Sequence, residues 1–226
     1  LILKTDMIKA VIFDFDGVLV ESVDVKTRAF ARMFGDEGED VVQKVVDYHL
    51  TNGGVSRVRK FEYYYEVILK RSLSEEKLRE LCNIFSRLVV DEVINSPYVK
   101  GAKEFLDIVH SKINLYVASG TPEEELIEIV RYRKMGKYFN GVFGSPMQKG
   151  DIARMILNQN GYNTDEVVFI GDSITDLKGA QDSGVRFIGR VADTEDTSFA
   201  GMDIKVVKDL SGLEGIIRGF NNGNIV

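Results

Sequence analysis

Residues 8–17 read IKAVIFDFDG, a short apolar run that stops at two aspartates and a glycine. A buried strand has this pattern when it carries polar side chains at its carboxyl end. We therefore predict a strand over residues 8–13, with Asp14 and Asp16 at the edge of the sheet that this strand joins.

Similar apolar runs return in the second half of the chain and alternate with helical patterns. The predicted strands cover residues 114–119, 167–171 and 185–189, with weaker candidates at 141–143 and 204–207. The helical patterns cover residues 103–110, 123–133, 152–160, 176–183 and 213–217. Alternating strands and helices are typical of the α/β class, so we expect a doubly wound, Rossmann-like parallel sheet with helices on both faces.

A helical stretch separates the first predicted strand from the others. Residues 22–96 contain no convincing strand, and a glycine pair divides them in two. We expect a catalytic core formed by residues 7–20 and 97–226, with an inserted α-helical cap formed by residues 21–96. We assign no function to residues 1–6.

The charge balance limits the partners of the chain. Its 226 residues include 29 Lys or Arg and 35 Asp or Glu, for a formal net charge of −6. An acidic protein has no electrostatic footprint for nucleic acid or for anionic lipid, so we expect neither partner. No run approaches the ~18 apolar residues of a membrane span, and the first residues lack the pattern of a signal peptide.

Cysteine and histidine are scarce. Cys82 is the only cysteine, so an internal disulfide is excluded, and we expect a cytoplasmic protein. His49 and His110 are the only histidines, too few for a zinc site of the His/Cys type. We interpret both as ordinary surface or boundary residues. Carboxylates must then carry any acid–base chemistry.

Polar side chains follow the predicted strands at the points where the strands end. Loops at the carboxyl ends of an open parallel sheet converge on one crevice. Several carboxylates at one edge repel each other unless a cation joins them, and oxygen ligands suit Mg²⁺. A phosphate ester would complete such a ligand set. The loops carry Asp14, Asp16, Ser119, Gly120, Thr121, Lys149, Asp172, Ser173 and Asp176.

A helix start follows the second of these loops. Residues 121–124 read TPEE, which predicts a capping box in which Thr121 begins the helix. The amino end of such a helix favours an anion, as does the positive charge of Lys149. Both features favour phosphate binding at this edge of the sheet.

These motifs together resemble the haloacid dehalogenase-like superfamily of aspartyl-phosphate phosphatases, and the resemblance covers most of the chain. DFDGV at 14–18 resembles the first motif, ASGT at 118–121 the second, Lys149 the third and GDSITD at 171–176 the fourth. The helical stretch resembles the small cap of the branch that includes phosphoglycolate phosphatases and beta-phosphoglucomutases. Gly150 stands where many relatives have proline.

The resemblance implies a role for each motif residue. Asp14 would attack phosphorus and form an aspartyl-phosphate. Asp16 would protonate the leaving alcohol and then deprotonate the water that resolves the intermediate. Ser119, the amide of Gly120 and Lys149 would hold the phosphoryl oxygens.

The same resemblance implies a magnesium site. Mg²⁺ would be held by Asp14, by the backbone carbonyl of Asp16 and by Asp172, with Asp176 as a direct or nearby partner. A haloacid dehalogenase would not need Asp172 and Asp176, so we favour a phosphatase over a dehalogenase.

The cap offers candidates for substrate binding. Residues 53–57 read GGVSR, a glycine-led turn into a helix with Ser56 as its N-cap. Two interpretations stay open with about equal weight, a solvated helix start and a specificity loop. A similar turn faces the active site in beta-phosphoglucomutase-like relatives. Arg57 is then the best candidate for binding a second anionic or hydroxyl-rich end of the substrate, and Lys26 is a weaker one.

We expect a Mg²⁺-dependent phosphatase of a small phosphosugar or phosphoglycolate-like acid, active as a monomer or a homodimer. The alternatives are a beta-phosphoglucomutase-like phosphomutase and a catalytically silent module that binds phosphorylated metabolites. Both Asp14 and Asp16 are present, which argues against the silent module. Lys26 stands where mutase-like relatives have a histidine that holds the acid–base aspartate, and a lysine lacks the hydrogen-bond geometry of an imidazole. Gly120 and Gly171 also depart from the mutase-like motifs.

Overall fold

A computed structural model describes residues 8–193 and 197–221 of the chain. Within these ranges the strands form a single parallel sheet with the order β3-β2-β1-β4-β5-β6. The predicted doubly wound α/β fold is confirmed. The strands are β1 (Ala10–Phe13), β2 (Asn114–Pro122), β3 (Gly141–Ser145), β4 (Val167–Gly171), β5 (Arg186–Arg190) and β6 (Lys205–Val207).

The register of the central strands brings their carboxyl ends together. Phe13, the last residue of β1, pairs with Val117 of β2 and with Ile170 of β4. Residues that follow these positions therefore share one edge of the sheet. Strand β2 runs three residues beyond its predicted end, and its pairing with β3 shifts between Ala118 and Pro122. This irregularity carries the second motif past the end of the regular ladder.

The helices occupy the positions that the alternating pattern predicts, and the segment between β1 and β2 holds the additional ones. Every helix in the described ranges is too short or too polar to traverse a lipid bilayer. The helices are α1 (Val23–Met33), α2 (Glu39–Thr51), α3 (Arg57–Tyr63), α4 (Glu75–Asn95), α5 (Ala102–Val109), α6 (Glu123–Tyr132), α7 (Lys149–Asn160), α8 (Ile174–Ser183) and α9 (Leu213–Asn221).

Hydrophobic side chains cover both faces of the sheet because successive strand residues point in opposite directions. Val11 and Phe13 of β1 belong to a cluster with buried residues of α5, α6 and α9. Ala10 and Ile12 belong to a second cluster with buried residues of α7 and α8. The central strands are therefore buried on both sides, which explains their nearly continuous apolar sequence.

The helical segment after β1 packs around aromatic rings. Phe30 of α1 lies at the centre, with ring centroids 5.6 Å from Phe61, 5.4 Å from Tyr64 and 4.3 Å from Phe85. The cluster that contains these rings also includes side chains of the sheet. The helical content of this segment agrees with the prediction, whereas its limits as a separate cap stay a prediction. The predicted start of the core at residue 7 lies outside the described residues.

Candidate active site

A cavity of about 530 Å³ lies between the carboxyl edge of the sheet and the helical segment. This volume is ordinary for a pocket that holds a small molecule. The sheet side of the cavity is lined by Asp14, Asp16, Ser119, Gly120 and Asp172. The helical side is lined by Lys26, Phe30, His49, Arg57 and Lys60. The structure thus brings together at one cavity residues of the first, second and fourth motifs, and Lys149 of the third motif contacts Asp14 from beside it.

Asp14 follows β1 directly and is 3% exposed. Its Oδ1 accepts a hydrogen bond of 2.7 Å from the Phe15 amide, and its Oδ2 lies 3.1 Å from Lys149 Nζ. Burial, together with the charges of Asp176 and Asp16, raises the pKa of Asp14 to about 7, although Lys149 lowers it. Each oxygen of this carboxylate thus has a single partner, and the side chain lines the cavity.

Asp16 is held by several donors at once. Its carboxylate accepts hydrogen bonds from Ser22 Oγ at 2.6 Å and Thr121 Oγ1 at 3.2 Å, and it forms an ion pair with Lys26. Burial raises the pKa of Asp16, but the charge and hydrogen bond of Lys26 outweigh it, so this pKa lies below its usual range. The lysine at this position therefore contacts the aspartate, although as an ammonium group it does so without the geometry of an imidazole.

Lys149 and Asp176 form a buried pair beside Asp14. Lys149 is the first residue of α7, and its Nζ donates to Asp176 Oδ1. Burial lowers the pKa of Lys149, but the charges of Asp14 and Asp176 outweigh this and raise it, so the side chain is cationic. The other oxygen of Asp176 accepts a hydrogen bond of 3.1 Å from the backbone amide of Ser173, the N-cap residue of α8. Both oxygens of Asp176 are therefore already engaged.

Asp14, Asp172 and Asp176 form a carboxylate cluster whose oxygens lie within 4.8 Å of one another. Burial, followed by the charges of Asp14 and Asp176, raises the pKa of Asp172 well above its usual range. Gly17 permits this packing, because a Cβ there would lie 2.0 Å from Asp172 Oδ2. Buried carboxylates that repel each other, with only oxygen donors, fit an oxygen-ligated divalent cation.

The second motif contributes in a way that the sequence did not indicate. Helix α6 begins at Glu123 with Pro122 at its N-cap and no side-chain cap, so the predicted capping box is absent. Thr121 instead donates its hydroxyl to Asp16, and its amide donates to Ser119 Oγ at 3.2 Å. Ser119 is 2% exposed and lines the cavity.

The loop between α2 and α3 lies directly on the second and fourth motifs. A Cβ at Gly120 would lie 2.4 Å from the Gly54 carbonyl oxygen, and Thr175 Oγ1 donates to the Gly53 carbonyl at 2.6 Å. Gly54 has a φ of +73°, a conformation that favours glycine. The glycine pair therefore allows the backbone of the helical segment to approach the second and fourth motifs.

The predicted start of α3 is confirmed, but two of its charged side chains are buried. The Ser56 side chain accepts from the Arg59 amide as the N-cap, while Arg57 and Lys60 are 5% and 3% exposed. Arg57 donates to Glu125 Oε2 of α6 at 2.8 Å and to Ser86 at 2.6 Å. The guanidinium is therefore already paired with a carboxylate of the core. Its contact with substrate stays a prediction, as does that of Lys26.

Two cavity residues were missed at the level of sequence. His49 was interpreted as an ordinary surface or boundary residue, but it is 6% exposed and lines the cavity. Lys60 Nζ donates to His49 Nδ1 at 2.7 Å. The spacing of His49 and Lys60 in sequence carries no signal for this contact, because it depends on how α2 packs against α3.

The fold and the carboxylate-lined cavity define an enzyme of the doubly wound α/β class with a helical segment over its active site. The chain belongs to the haloacid dehalogenase-like hydrolase family, whose sequence profile matches residues 11–190. It is a phosphatase of that family, since its relatives carry phosphatase names and its site has the carboxylates described above.

Two curated relatives and one solved structure illustrate the similarity. The chain is 30% identical over 190 residues to a phosphorylated carbohydrates phosphatase of Thermotoga maritima, which covers 80% of this chain and 83% of the relative. It is 26% identical over 190 residues to phosphoglycolate phosphatase 1 of Pseudomonas aeruginosa, covering 80% and 69%. CbbY from Rhodobacter sphaeroides, solved with phosphate, superposes with a TM-score of 0.70 at 19% identity, covering 92% and 96%, and supports the fold.

The close approach at Gly120 generates a prediction. In Gly120→Ala the new methyl group would displace the Gly54 backbone, so we expect kcat/KM for phosphate esters to fall between about tenfold and a hundredfold. Steady-state phosphate release measures the effect. Gly136→Ala is the control, because a Cβ there meets no atom within 4 Å. Equal activity of both variants would show that the cap loop need not lie against the second motif.

Proposed function

We propose that the chain hydrolyses a small phosphorylated metabolite, a phosphosugar or a phosphoglycolate-like acid, through an aspartyl-phosphate on Asp14. The observation that carries this proposal is the buried Asp14 carboxylate, which lines the cavity and lies beside Lys149 and Asp172. The names of the two curated relatives support the substrate class. Residues 7–20 and 97–226 would act as the catalytic core and residues 21–96 as its cap.

The residues divide the reaction among them. The Asp14 carboxylate attacks phosphorus, while Ser119, the Gly120 amide and the Lys149 ammonium hold the phosphoryl oxygens. Asp16 protonates the leaving alcohol in its first role and deprotonates the attacking water in its second. The resting contact with Lys26 suits the second role, because it keeps the carboxylate ionised and able to accept a proton.

The proposed cation is Mg²⁺, held by Asp14, the backbone carbonyl of Asp16 and Asp172. Asp172 suits this role, since its carboxylate has no hydrogen-bond or ion-pair partner in the described ranges. Asp176, engaged by Lys149 and Ser173, would support the site from beside it. When bound, Mg²⁺ would neutralise charge on the phosphoryl group and the carboxylates.

A phosphomutase is the second candidate, and one observation favours it. Lys26 holds Asp16 in the resting site, as the histidine of mutase-like relatives is expected to do. We still favour hydrolysis, because Gly120 and Gly171 replace residues of the mutase-like motifs. The partners we propose are small phosphorylated molecules. A cytoplasmic location and a monomeric or homodimeric state stay predictions.

The nucleophile is tested with Asp14→Asn. The amide has nearly the shape of the carboxylate but cannot attack phosphorus, so we expect phosphate release to fall at least about a thousandfold. Burial makes ionisation of Asp14 unfavourable in the folded chain, so the variant should melt no lower than the wild type in metal-free buffer at pH 8. Substantial turnover by the pure, folded variant would contradict the assignment.

The cation is tested by chelation and by Asp172→Ala. We expect chelator to remove activity and Mg²⁺ to restore it, and we expect Asp172→Ala to weaken Mg²⁺ binding at least tenfold by isothermal titration calorimetry. Asp203→Ala is the control, because Asp203 is exposed and does not line the cavity. Full activity in excess chelator, or unchanged Mg²⁺ affinity in Asp172→Ala, would contradict the proposed site.

Hydrolase and mutase are distinguished by the acceptor of the phosphoryl group. With beta-glucose 1-phosphate and a priming bisphosphate, we expect inorganic phosphate to accumulate faster than glucose 6-phosphate. Parallel assays of phosphate and of glucose 6-phosphate measure the two rates. Isomerisation that outpaces phosphate release would reverse the choice and assign Lys26 the holding role of the mutase histidine.

A further inference from the structure

Lys60 of α3 is a buried lysine that forms no ion pair with a carboxylate in the described ranges. Its side chain is almost wholly buried, and its Nζ donates to His49 Nδ1 at 2.7 Å and lies 3.3 Å from the His49 carbonyl oxygen. The other buried Lys and Arg side chains in the described ranges all form ion pairs with carboxylates. Lys60 is thus the exception among them.

His49 positions Lys60 but does not compensate its charge. Burial, followed by the charge of Lys60, lowers the pKa of His49 to about 3, so the imidazole is neutral. Its Nδ1 is the acceptor for Lys60, which leaves the hydrogen on Nε2. The Phe30 ring, with its centroid 5.9 Å from Lys60 Nζ, adds at most a weak cation–π attraction.

Burial lowers the pKa of the Lys60 ammonium to about 7, because no carboxylate contacts it in the described ranges to repay the lost hydration. An anion bound beside it would favour the charged form. Lys60 lines the same cavity as Asp14, so a ligand bound there reaches its side chain. The neighbouring cations do not offer an equivalent free charge. Lys26 is engaged by Asp16 and Thr121, and Arg57 is engaged by Glu125.

We propose that Lys60, oriented by His49, binds a second anionic group of the substrate while the phosphoryl group lies at Asp14. This inference rests on the proposed phosphatase function and narrows its substrates to phosphate monoesters that carry a carboxylate or a second phosphate. Both groups offer the same chemistry, oxygen acceptors with negative charge, to a lysine that has one N–H beyond its two bonds to His49. Neutral sugar phosphates would leave the charge of Lys60 uncompensated.

Two matched substrate pairs test the proposal. The first is 2-phosphoglycolate against ethylene glycol monophosphate, which differ by a carboxylate. The second is glucose 1,6-bisphosphate against glucose 6-phosphate, which differ by a phosphate. We expect the wild type to prefer the anionic member of one pair by at least about thirtyfold in kcat/KM, and the pair that shows the preference identifies the anion.

The variant Lys60→Met removes the charge and keeps the length of the side chain. We expect it to reduce this preference at least about tenfold, mainly through KM, as the loss of a charge-assisted hydrogen bond does. Its Tm should equal or exceed that of the wild type, because an uncompensated cation is replaced by an apolar chain. Arg59→Met is the control, since Arg59 lies on the same helix with 73% of its side chain exposed.

Other outcomes overturn the proposal. A wild type without preference in either pair would do so whether or not the variants fold. A folded Lys60→Met variant that keeps the wild-type preference would also overturn the proposal. A Lys60→Met variant that melts far below the wild type would assign Lys60 a role in packing. Lys60→Gln repeats the activity test with a polar side chain. Wild-type protein that releases no phosphate even from p-nitrophenyl phosphate would instead contradict the phosphatase function itself.

Discussion

The active site depends on the contact of one buried lysine with two buried carboxylates. Lys149 Nζ lies 3.1 Å from Asp14 and also binds Asp176, and all three side chains are nearly inaccessible to water. Carboxylates this close resist ionisation in a low-dielectric interior unless positive charge is held between them. The parallel sheet makes the contact possible because it brings the ends of β1 and β4, and the helix that follows β3, to one edge.

Packing around this contact restricts how the helical segment can approach it. Backbone rather than side chains meets the second motif, because Gly54 and Gly120 leave no room for a Cβ. Farther along, the buried ion pair between Arg57 and Glu125 joins α3 to α6. Breaking this pair would leave a buried charge without a partner, which is strongly unfavourable. The helical segment is thus held by two contacts of different chemistry, a backbone contact with the second motif and an ion pair with the helix that follows this motif.

The sequence predicted what depends on chain order and missed what depends on packing between helices. Strand ends carry Asp14 and Asp172 to one edge in any parallel sheet with this order, so the fold and the carboxylate cluster followed from the pattern. The capping box at Thr121 was wrong because its hydroxyl is used by Asp16, a contact between residues 105 positions apart. The burial of Lys60 was not predicted, because burial in a helical bundle depends on which helix faces meet.

The cations in and beside the cavity have different partners, and these partners indicate different roles. Lys149 lies beside Asp14, the proposed nucleophile, whereas Lys26 holds Asp16 ionised, a state that suits proton acceptance and opposes proton donation. Donation to a leaving alcohol therefore requires that the contact between Lys26 and Asp16 weaken once substrate is bound. A substrate with a second negative charge would supply a reason for this, because anionic oxygens near Lys26 compete with Asp16 for its ammonium group. Substrate charge would then both anchor the molecule and release the acid.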